Sequence, residues 1–129
     1  MSMQENIRLD EEFIAAWDTH DADRAVAILS DDVVWQDVGS PEPMHGKAAA
    51  RQYIQSWFTA LPDMKSEVKN RVVSEDQVAT EVEFTGTNTG PLQMAAGAPA
   101  MPATGKQVRG KGVYFMRIRN GKAVGRSES

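Results

Sequence analysis

A change of hydrophobic period near residue 62 limits the possible folds more than any other feature of this sequence. Before it, apolar side chains recur at helical spacings, which is typical of helices that pack by one face. After it, the pattern predicts strands at about 66–73, 77–86 and 107–119, and a last short strand from Lys122. This order indicates the α+β class, with three N-terminal helices packed on a curved, mostly antiparallel sheet.

The helical half of the chain contains three predicted helices. The first has an apolar stripe, and its acidic residues, Asp10 among them, lie away from that stripe. The second helix is short, and its apolar face includes Leu29; a β-rich stretch at 33–38 follows it. The third helix runs between Gly46 and Pro62.

Two short turns indicate how the later strands are joined. Glu75-Asp76 and Asn120-Gly121 each have the two-residue length of a tight hairpin. We therefore expect the strands on either side of each turn to pair with each other.

Composition fits one ordinary globular domain, residues 1–129. Hydrophobic residues make up 41% and charged residues 25% of the 129 positions. The chain has no cysteine, which excludes disulfides, thiolate nucleophiles and Cys-ligated zinc. It has no apolar stretch long enough for a membrane span, and its first residues lack a basic-then-apolar leader. These features predict a soluble protein of the cytoplasm.

The charge is unevenly distributed along the chain. Residues 1–50 carry 11 acids and 3 bases, whereas residues 106–129 carry 1 acid and 7 bases. A basic C-terminal region can bind nucleic acid, but these basic residues lack a paired aromatic platform on which bases could stack. We expect them to face acidic residues of the same fold or of a second subunit, and we expect no nucleic-acid partner.

The segment between Thr87 and Lys106 follows neither period. It is rich in Gly, Pro and Ala, and Leu92, Met94 and Met101 make it apolar. Long irregular loops inside a compact domain are often functional. The segment is predicted to be a lid over an apolar cavity, and a plain insertion is the alternative.

Asp37 is the first candidate for catalysis. Strand alternation places Val33, Trp35 and Asp37 on one face. If that face is internal, desolvation raises the pKa of the carboxyl and makes it a usable acid or base near neutral pH. The alternative is that Asp37 caps the following loop at the surface.

Tyr114 is the second candidate. In the strand at 107–119 the even positions are apolar apart from this phenol, so the even face is predicted to point inward. A buried tyrosine hydroxyl needs a partner, which could be a ligand oxygen or a backbone carbonyl. Gly110 and Gly112 on the same face favour a cavity beside it.

Large apolar side chains would either line such a pocket or fill a solid core. The candidates are Phe13, Trp17, Trp35, Trp57, Phe58 and Met116. The two histidines, His20 and His45, are too few and too far apart in sequence to indicate a metal site, and we expect neither a metal nor another cofactor.

Six local strings follow one another in a characteristic order. They are AWDTHDAD at 16–23, DDVVWQD at 31–37, HG at 45–46, TGTNTGP at 85–91, PATGK at 102–106 and RIRNGK at 117–122. Over nearly the whole chain they resemble the SnoaL-like polyketide cyclase group of the NTF2-like superfamily, whose domains are cone-shaped.

The resemblance implies roles for particular residues. The stretch at 32–37 is similar to the one that ends in the general base of the ketosteroid isomerases, which share this fold, so Asp37 is the implied base. The oxyanion hole of those isomerases consists of a tyrosine on the first helix and an aspartate on a late strand. In this sequence Phe13 and Tyr114 occupy the matching positions. SnoaL cyclases use an aspartate from the last third of the chain, and here no aspartate follows Asp76.

The residues and the resemblance together predict a cofactor-free acid/base enzyme of the cyclase or isomerase type, acting on a small apolar carbonyl compound. Asp37 would move a proton on a carbon next to the carbonyl, and Tyr114 would hydrogen-bond the developing enolate oxygen. The alternative is a non-catalytic protein that binds a small molecule in the same pocket. A homodimer formed through the outer sheet face, with Val113 and Phe115, is also predicted.

Overall fold

The helices and strands follow the predicted α+β order. The computed structural model describes residues 2–36, 42–93 and 99–128. Its helices are α1 (Met3–Asp18), α2 (Ala22–Val26) and α3 (Lys47–Ala60). Its strands are β1 (Leu29–Gln36), β2 (Met44–His45), β3 (Lys65–Val73), β4 (Gln77–Thr87), β5 (Gln107–Arg119) and β6 (Lys122–Glu128). The helices do not form one N-terminal group, because β1 and β2 precede α3.

All six of these strands belong to one curved sheet. Their order is β2-β1-β6-β5-β4-β3, and neighbouring strands are antiparallel except for β1 and β6, which are parallel. The last strand of the chain therefore lies beside the first. Side chains from both ends of the sequence meet on the inner face as a result.

The end of α2 differs from the prediction. Asp21 caps the helix by accepting a hydrogen bond from the backbone N–H of Arg24 at 3.0 Å. The helix ends at Val26, and Leu29 already pairs with Ala123 of β6. The prediction that Leu29 lies on a helical face is wrong, because pairing with a distant strand outweighs the local helical spacing.

Both predicted hairpins are present. Residues 74–76 join β3 to β4, and Asn120-Gly121 joins β5 to β6. Asn120 has φ 52° and Gly121 has φ 76°, the left-handed pair that a two-residue hairpin turn requires.

The core lies between the helices and the inner face of the sheet. On β5, Tyr114, Met116 and Ile118 are buried, whereas Phe115 is 39% exposed on the outer face. The predicted alternation of this strand is confirmed. None of the described helices is both long enough and apolar enough to cross a membrane.

Candidate functional site

The aromatic side chains predicted as pocket residues meet in the core. The ring centroid of Phe13 lies 6.2 Å from that of Trp17, 5.9 Å from that of Trp35 and 6.3 Å from that of Tyr114. Met116, the remaining inward residue of this group, is fully buried. These contacts, edge-on to Trp17 and Tyr114 and tilted to Trp35, join α1, β1 and β5 through their side chains.

Two further predicted pocket residues extend the group along α3. The ring of Phe58 lies 5.3 Å from that of Trp17, and the ring of Trp57 lies 6.2 Å from that of Phe84. Phe58 also stacks on the imidazole of His20 at 4.9 Å. Tyr53 joins the two parts of the group, since its ring lies 5.5 Å from that of Trp35 and 6.5 Å from that of Trp57, so the described rings are connected in one continuous cluster.

Gly110 does not leave an open space beside Tyr114. A Cβ atom placed on Gly110 would lie 2.4 Å from the Cζ atom of Phe84. The absent side chain admits the phenyl ring, so the expectation that this glycine leaves room for a cavity is wrong. The reason is tertiary, because Phe84 reaches Gly110 from the neighbouring strand.

Tyr114 takes part in a buried hydrogen-bond network around Asp10. The phenol donates to Oδ1 of Asp10. Oδ2 of the same carboxylate accepts from Nε of Arg71 at 2.7 Å and from Oγ1 of Thr80 at 2.8 Å. The carboxylate is fully buried, and its partners lie on β3, β4 and β5. Burial of a charge requires such pairing, and here a cation and two hydroxyls provide it.

The burial of Asp10 corrects the prediction that it faces solvent. The buried residues of α1 are Asn6, Asp10, Phe13 and Ala16. Positions 6, 10 and 13 follow the helical period, so the apolar stripe continues toward the N-terminus through two polar residues. That spacing is the signal by which the sequence could have indicated Asp10. Nothing local indicates its partners, Arg71 and Thr80, because 61 and 70 residues separate them from it.

Arg126 is a further buried charge that the sequence did not indicate. Its guanidinium carbon lies 4.3 Å from the centroid of Trp35, 4.2 Å from that of Tyr114 and 5.3 Å from that of Phe13, and the residue is 7% exposed. Arg126 pairs in register with Trp35 on β1 and with Met116 on β5, both of which point inward. The three rings stabilise the cation through their faces.

The environment of Tyr114 keeps its phenol neutral. Burial raises the pKa of Tyr114 far above its ordinary value, and the negative charge of Asp10 raises it further, whereas the positive charge of Arg126 acts in the opposite direction. The hydroxyl therefore keeps its proton and acts as a hydrogen-bond donor over the whole physiological pH range.

Two indole groups also have polar atoms in this interior. Nε1 of Trp17 and Nε1 of Trp35 are buried, and within the described residues no hydrogen-bond acceptor reaches either atom. An unpaired buried donor costs about 1–3 kcal/mol. A ligand oxygen bound among the rings could accept from one of them.

Asp37 and Met94 lie outside the described residues. On β1, Val33 and Trp35 are fully buried and Val34 is 39% exposed, so the alternation that leads toward Asp37 is confirmed as far as Gln36. The catalytic role of Asp37 remains a prediction from the sequence.

The described parts of the predicted lid lie against α3. The backbone N–H of Gln93 donates to Oγ of Ser56 at 2.8 Å, and Leu92 packs against the core. The backbones of Leu92 and Met101 also exchange two antiparallel hydrogen bonds, and Met101 is 51% exposed. A groove of about 450 Å³ lies between this segment and the exposed face of α3, and most of its exposed surface is apolar.

Comparison with known proteins identifies the family. A family model described as the SnoaL-like domain matches residues 11–126, and no curated protein matches the chain. The chain is similar to AclR from Streptomyces galilaeus, a proposed hydroxylase: identity is 26%, the TM-score is 0.82, and 99% of this chain and 76% of that one are covered.

Other solved structures share the fold at lower identity. One is a proposed SnoaL-like polyketide cyclase from Jannaschia sp. CCS1, with 17% identity, a TM-score of 0.85 and coverage of 98% of this chain and 85% of that one. Another is a protein with a ketosteroid isomerase-like fold from Catenulispora acidiphila, in complex with trimethylamine, with 13% identity, a TM-score of 0.74 and coverage of 94% and 83%. Because the family model extends over residues 11–126, most of the chain, the chain belongs to the SnoaL-like domain family.

Proposed function

We propose that the protein is a cofactor-free acid/base enzyme, of the cyclase or isomerase type, that acts on a small apolar carbonyl compound bound inside the cone. The observation that carries this proposal is the buried cluster of Asp10, Tyr114 and Arg126 among aromatic rings. A hydrophobic core needs no such groups, and ionisable groups held in apolar surroundings concentrate at functional sites.

Each proposed residue has one part in the reaction. Asp37, proposed from the sequence, takes a proton from the carbon next to the carbonyl, and the C–H electron pair moves into the enolate. The Tyr114 hydroxyl donates a hydrogen bond to the resulting oxyanion, and the charge of Arg126 lowers its energy. Isomerisation returns the proton to another carbon of the enolate. In cyclisation the enolate carbon attacks a second carbonyl of the same molecule, the C=O π electrons move to the oxygen, and the alkoxide takes the proton back from Asp37.

Proton transfer can be tested without knowledge of the natural substrate. Small cyclic ketones in D₂O exchange the hydrogens next to the carbonyl for deuterium when an enolate forms, and NMR measures the rate. We expect Asp37→Asn to reduce the catalysed exchange by at least about 100-fold. Asp32→Asn is the matched control, because Asp32 is an exposed aspartate of β1. Equal rates for wild type and Asp37→Asn would remove Asp37 from the mechanism.

A non-catalytic binding protein is the second candidate. The Tyr114 hydroxyl already has a carboxylate partner, and a group satisfied in this way can contribute to binding without taking part in chemistry. This candidate predicts that a ketone binds and perturbs the tryptophan fluorescence, that binding survives Asp37→Asn, and that no deuterium exchange occurs.

Assembly, the lid and the cytoplasmic location are also proposals. Phe115 is 39% exposed on the outer sheet face, which supports a homodimer through that face. Sedimentation at micromolar concentration tests it, with Phe115→Lys expected to give monomers.

Leu92 and Met101 of the proposed lid would cover the mouth of the cone, and Leu92→Ala is then expected to weaken ketone binding.

A further inference from the structure

We propose that Asn120, at the tip of the β5–β6 hairpin, is a site of covalent modification by spontaneous deamidation, in which the side-chain amide is lost and an aspartyl or isoaspartyl residue takes its place. The proposal is independent of the proposed function, because it concerns the outer end of the hairpin and not the interior. It follows from a comparison of the four asparagines of the chain, Asn6, Asn70, Asn88 and Asn120.

The reaction takes place within the chain and consumes only water. The backbone nitrogen of the residue after an asparagine attacks the side-chain carbonyl carbon, a C–N bond forms, and the amide nitrogen leaves as ammonia with the proton of the attacking N–H. The product is a five-membered succinimide ring. Water then adds to one of its two carbonyls and breaks a C–N bond, which gives aspartate or isoaspartate. A glycine in the second position favours the attack, because no side chain covers its nitrogen and its backbone rotates freely.

The structure leaves both reacting groups at Asn120 open. Asn120 is exposed, and Gly121 follows it. Within the described residues neither the side-chain amide of Asn120 nor the backbone N–H of Gly121 forms a hydrogen bond. Ring closure requires the peptide between these residues, with φ 52° and 76°, to rotate out of the left-handed turn. That rotation breaks no hydrogen bond of its own peptide, and exposed loop tips open locally at a low cost in free energy.

Two of the other asparagines are held by hydrogen bonds. Asn6 is fully buried, and its Nδ2 donates to two backbone carbonyls at 3.0 Å. Nδ2 of Asn88 donates to the carbonyls of Ala60 at 3.2 Å and Gly90 at 2.9 Å. Its Oδ1 accepts from the backbone N–H of Thr104 at 2.9 Å. Neither side chain can turn toward the following backbone nitrogen without the loss of these bonds.

Asn70 is the most demanding comparison, because it is also exposed. It lies inside β3, where it pairs in register with Glu81 of β4, and Arg71 follows it. The strand restricts rotation of the peptide, and the arginine side chain covers its nitrogen. In the folded protein we therefore expect Asn120 to be converted well before the other three asparagines.

The isoaspartyl product changes the hairpin itself. Its backbone runs through the former side-chain Cβ, so it inserts one atom into the turn in which Arg119 pairs with Lys122. A two-residue turn matches the twist of its strands only at its proper length. We expect isoaspartate to weaken strand pairing at the tip. Aspartate is tolerated in the left-handed conformation and should leave the pairing intact.

Ageing of the folded wild-type protein at mildly alkaline pH and body temperature tests the modification. Peptide mass spectrometry measures, for each asparagine, the fraction in which OH has replaced NH₂. We expect this fraction to rise first at Asn120, while the peptides of Asn6, Asn70 and Asn88 stay unchanged. The same chain in concentrated guanidinium chloride is the unfolded reference. The proposal is overturned if Asn120 stays intact in the folded protein after it has been converted in the reference, or if another asparagine is converted first.

The effect on the hairpin is tested with separated products. Ion exchange isolates the deamidated chains by their additional negative charge, and Asn120→Asp supplies the aspartyl form directly. We expect a lower Tm for the isoaspartyl chain and a nearly wild-type Tm for Asn120→Asp. An isoaspartyl chain as stable as Asn120→Asp would refute this effect. Asn120→Gly suits the left-handed turn and has no amide, so its Tm should survive the same ageing; an equal loss of Tm in this variant would overturn the assignment to Asn120.

Discussion

Replacing Tyr114 with phenylalanine removes one hydroxyl from the interior and leaves the aromatic ring in place. In the folded protein Oδ1 of Asp10 then loses its donor, and within the described residues no second donor reaches that oxygen. Oδ2 keeps Arg71 and Thr80, so the carboxylate stays paired with its cation. The substitution therefore isolates the hydrogen bond between the phenol and a buried charge.

The expected magnitude follows from the charge and burial of the acceptor. A hydrogen bond to a charged group is worth about 1.5–3 kcal/mol, roughly twice a neutral one. For a domain of this length each kcal/mol shifts the Tm by about 3–5 °C. We expect Tyr114→Phe to lower the free energy of unfolding by about 1.5–3 kcal/mol and the Tm by roughly 5–15 °C.

Urea unfolding followed by far-UV circular dichroism measures this loss, with an unchanged m-value as evidence that the folded and unfolded states remain comparable. Thr80→Val is the internal standard. It removes a hydroxyl from the same carboxylate, but Oδ2 keeps Arg71, so we expect a smaller loss of about 1 kcal/mol. A loss below about 0.5 kcal/mol for Tyr114→Phe would refute the reasoning, and so would a greater loss for Thr80→Val than for Tyr114→Phe.

Three further predictions concern pH and packing. The pKa of Tyr114 is raised in the folded state, so its contribution to stability is fully present below the ordinary phenol pKa of about 10 and is lost as the pH rises toward the folded pKa. The difference in unfolding free energy between wild type and Tyr114→Phe, measured by urea titration, should therefore shrink above about pH 10. Hydrogen bonds from the backbone N–H and then the hydroxyl of Thr87 lower the pKa of Asp63, so the contribution of this carboxylate to stability is present above the ordinary pKa of about 3.9 and is lost below it. When the Tm is measured at a series of acidic pH values, it should therefore fall less steeply with decreasing pH for Asp63→Asn than for wild type. Gly110→Ala places a methyl group 2.4 Å from the ring of Phe84 and should cost about 1–3 kcal/mol in urea unfolding.

Each of these predictions has a control or a contrary outcome. Gly125→Ala is the control for Gly110→Ala, because a Cβ at Gly125 meets nothing closer than 3.7 Å, and it should leave the stability almost unchanged. Equal losses for the two glycine variants would contradict the packing argument. A difference between wild type and Tyr114→Phe that stays constant into strongly alkaline solution would show that the phenol is not held neutral by the fold. An acid limb of Asp63→Asn as steep as that of wild type would assign acid sensitivity to other carboxyls.

Local sequence signals predicted the elements and the hairpins. The alternation of β5, which buries Tyr114 and Met116, and the turn at Asn120-Gly121 both depend on residues close together in the chain. The pocket candidates on α1 and β1 also meet, because each lies on the apolar face of its own element. Local period was a sufficient guide in these cases.

The polar part of the site was decided by contacts between residues far apart in the sequence. Asp10 and Tyr114 are 104 positions apart, and Arg126 faces the aromatic rings because β6 pairs in parallel with β1. Judged from its neighbours in sequence alone, a charged residue is expected to be exposed, because burial of an unpaired charge is costly. Only the assembled sheet supplies the partners that reverse this cost. The sequence by itself thus determined the apolar frame, and the tertiary structure decided which charges lie inside it.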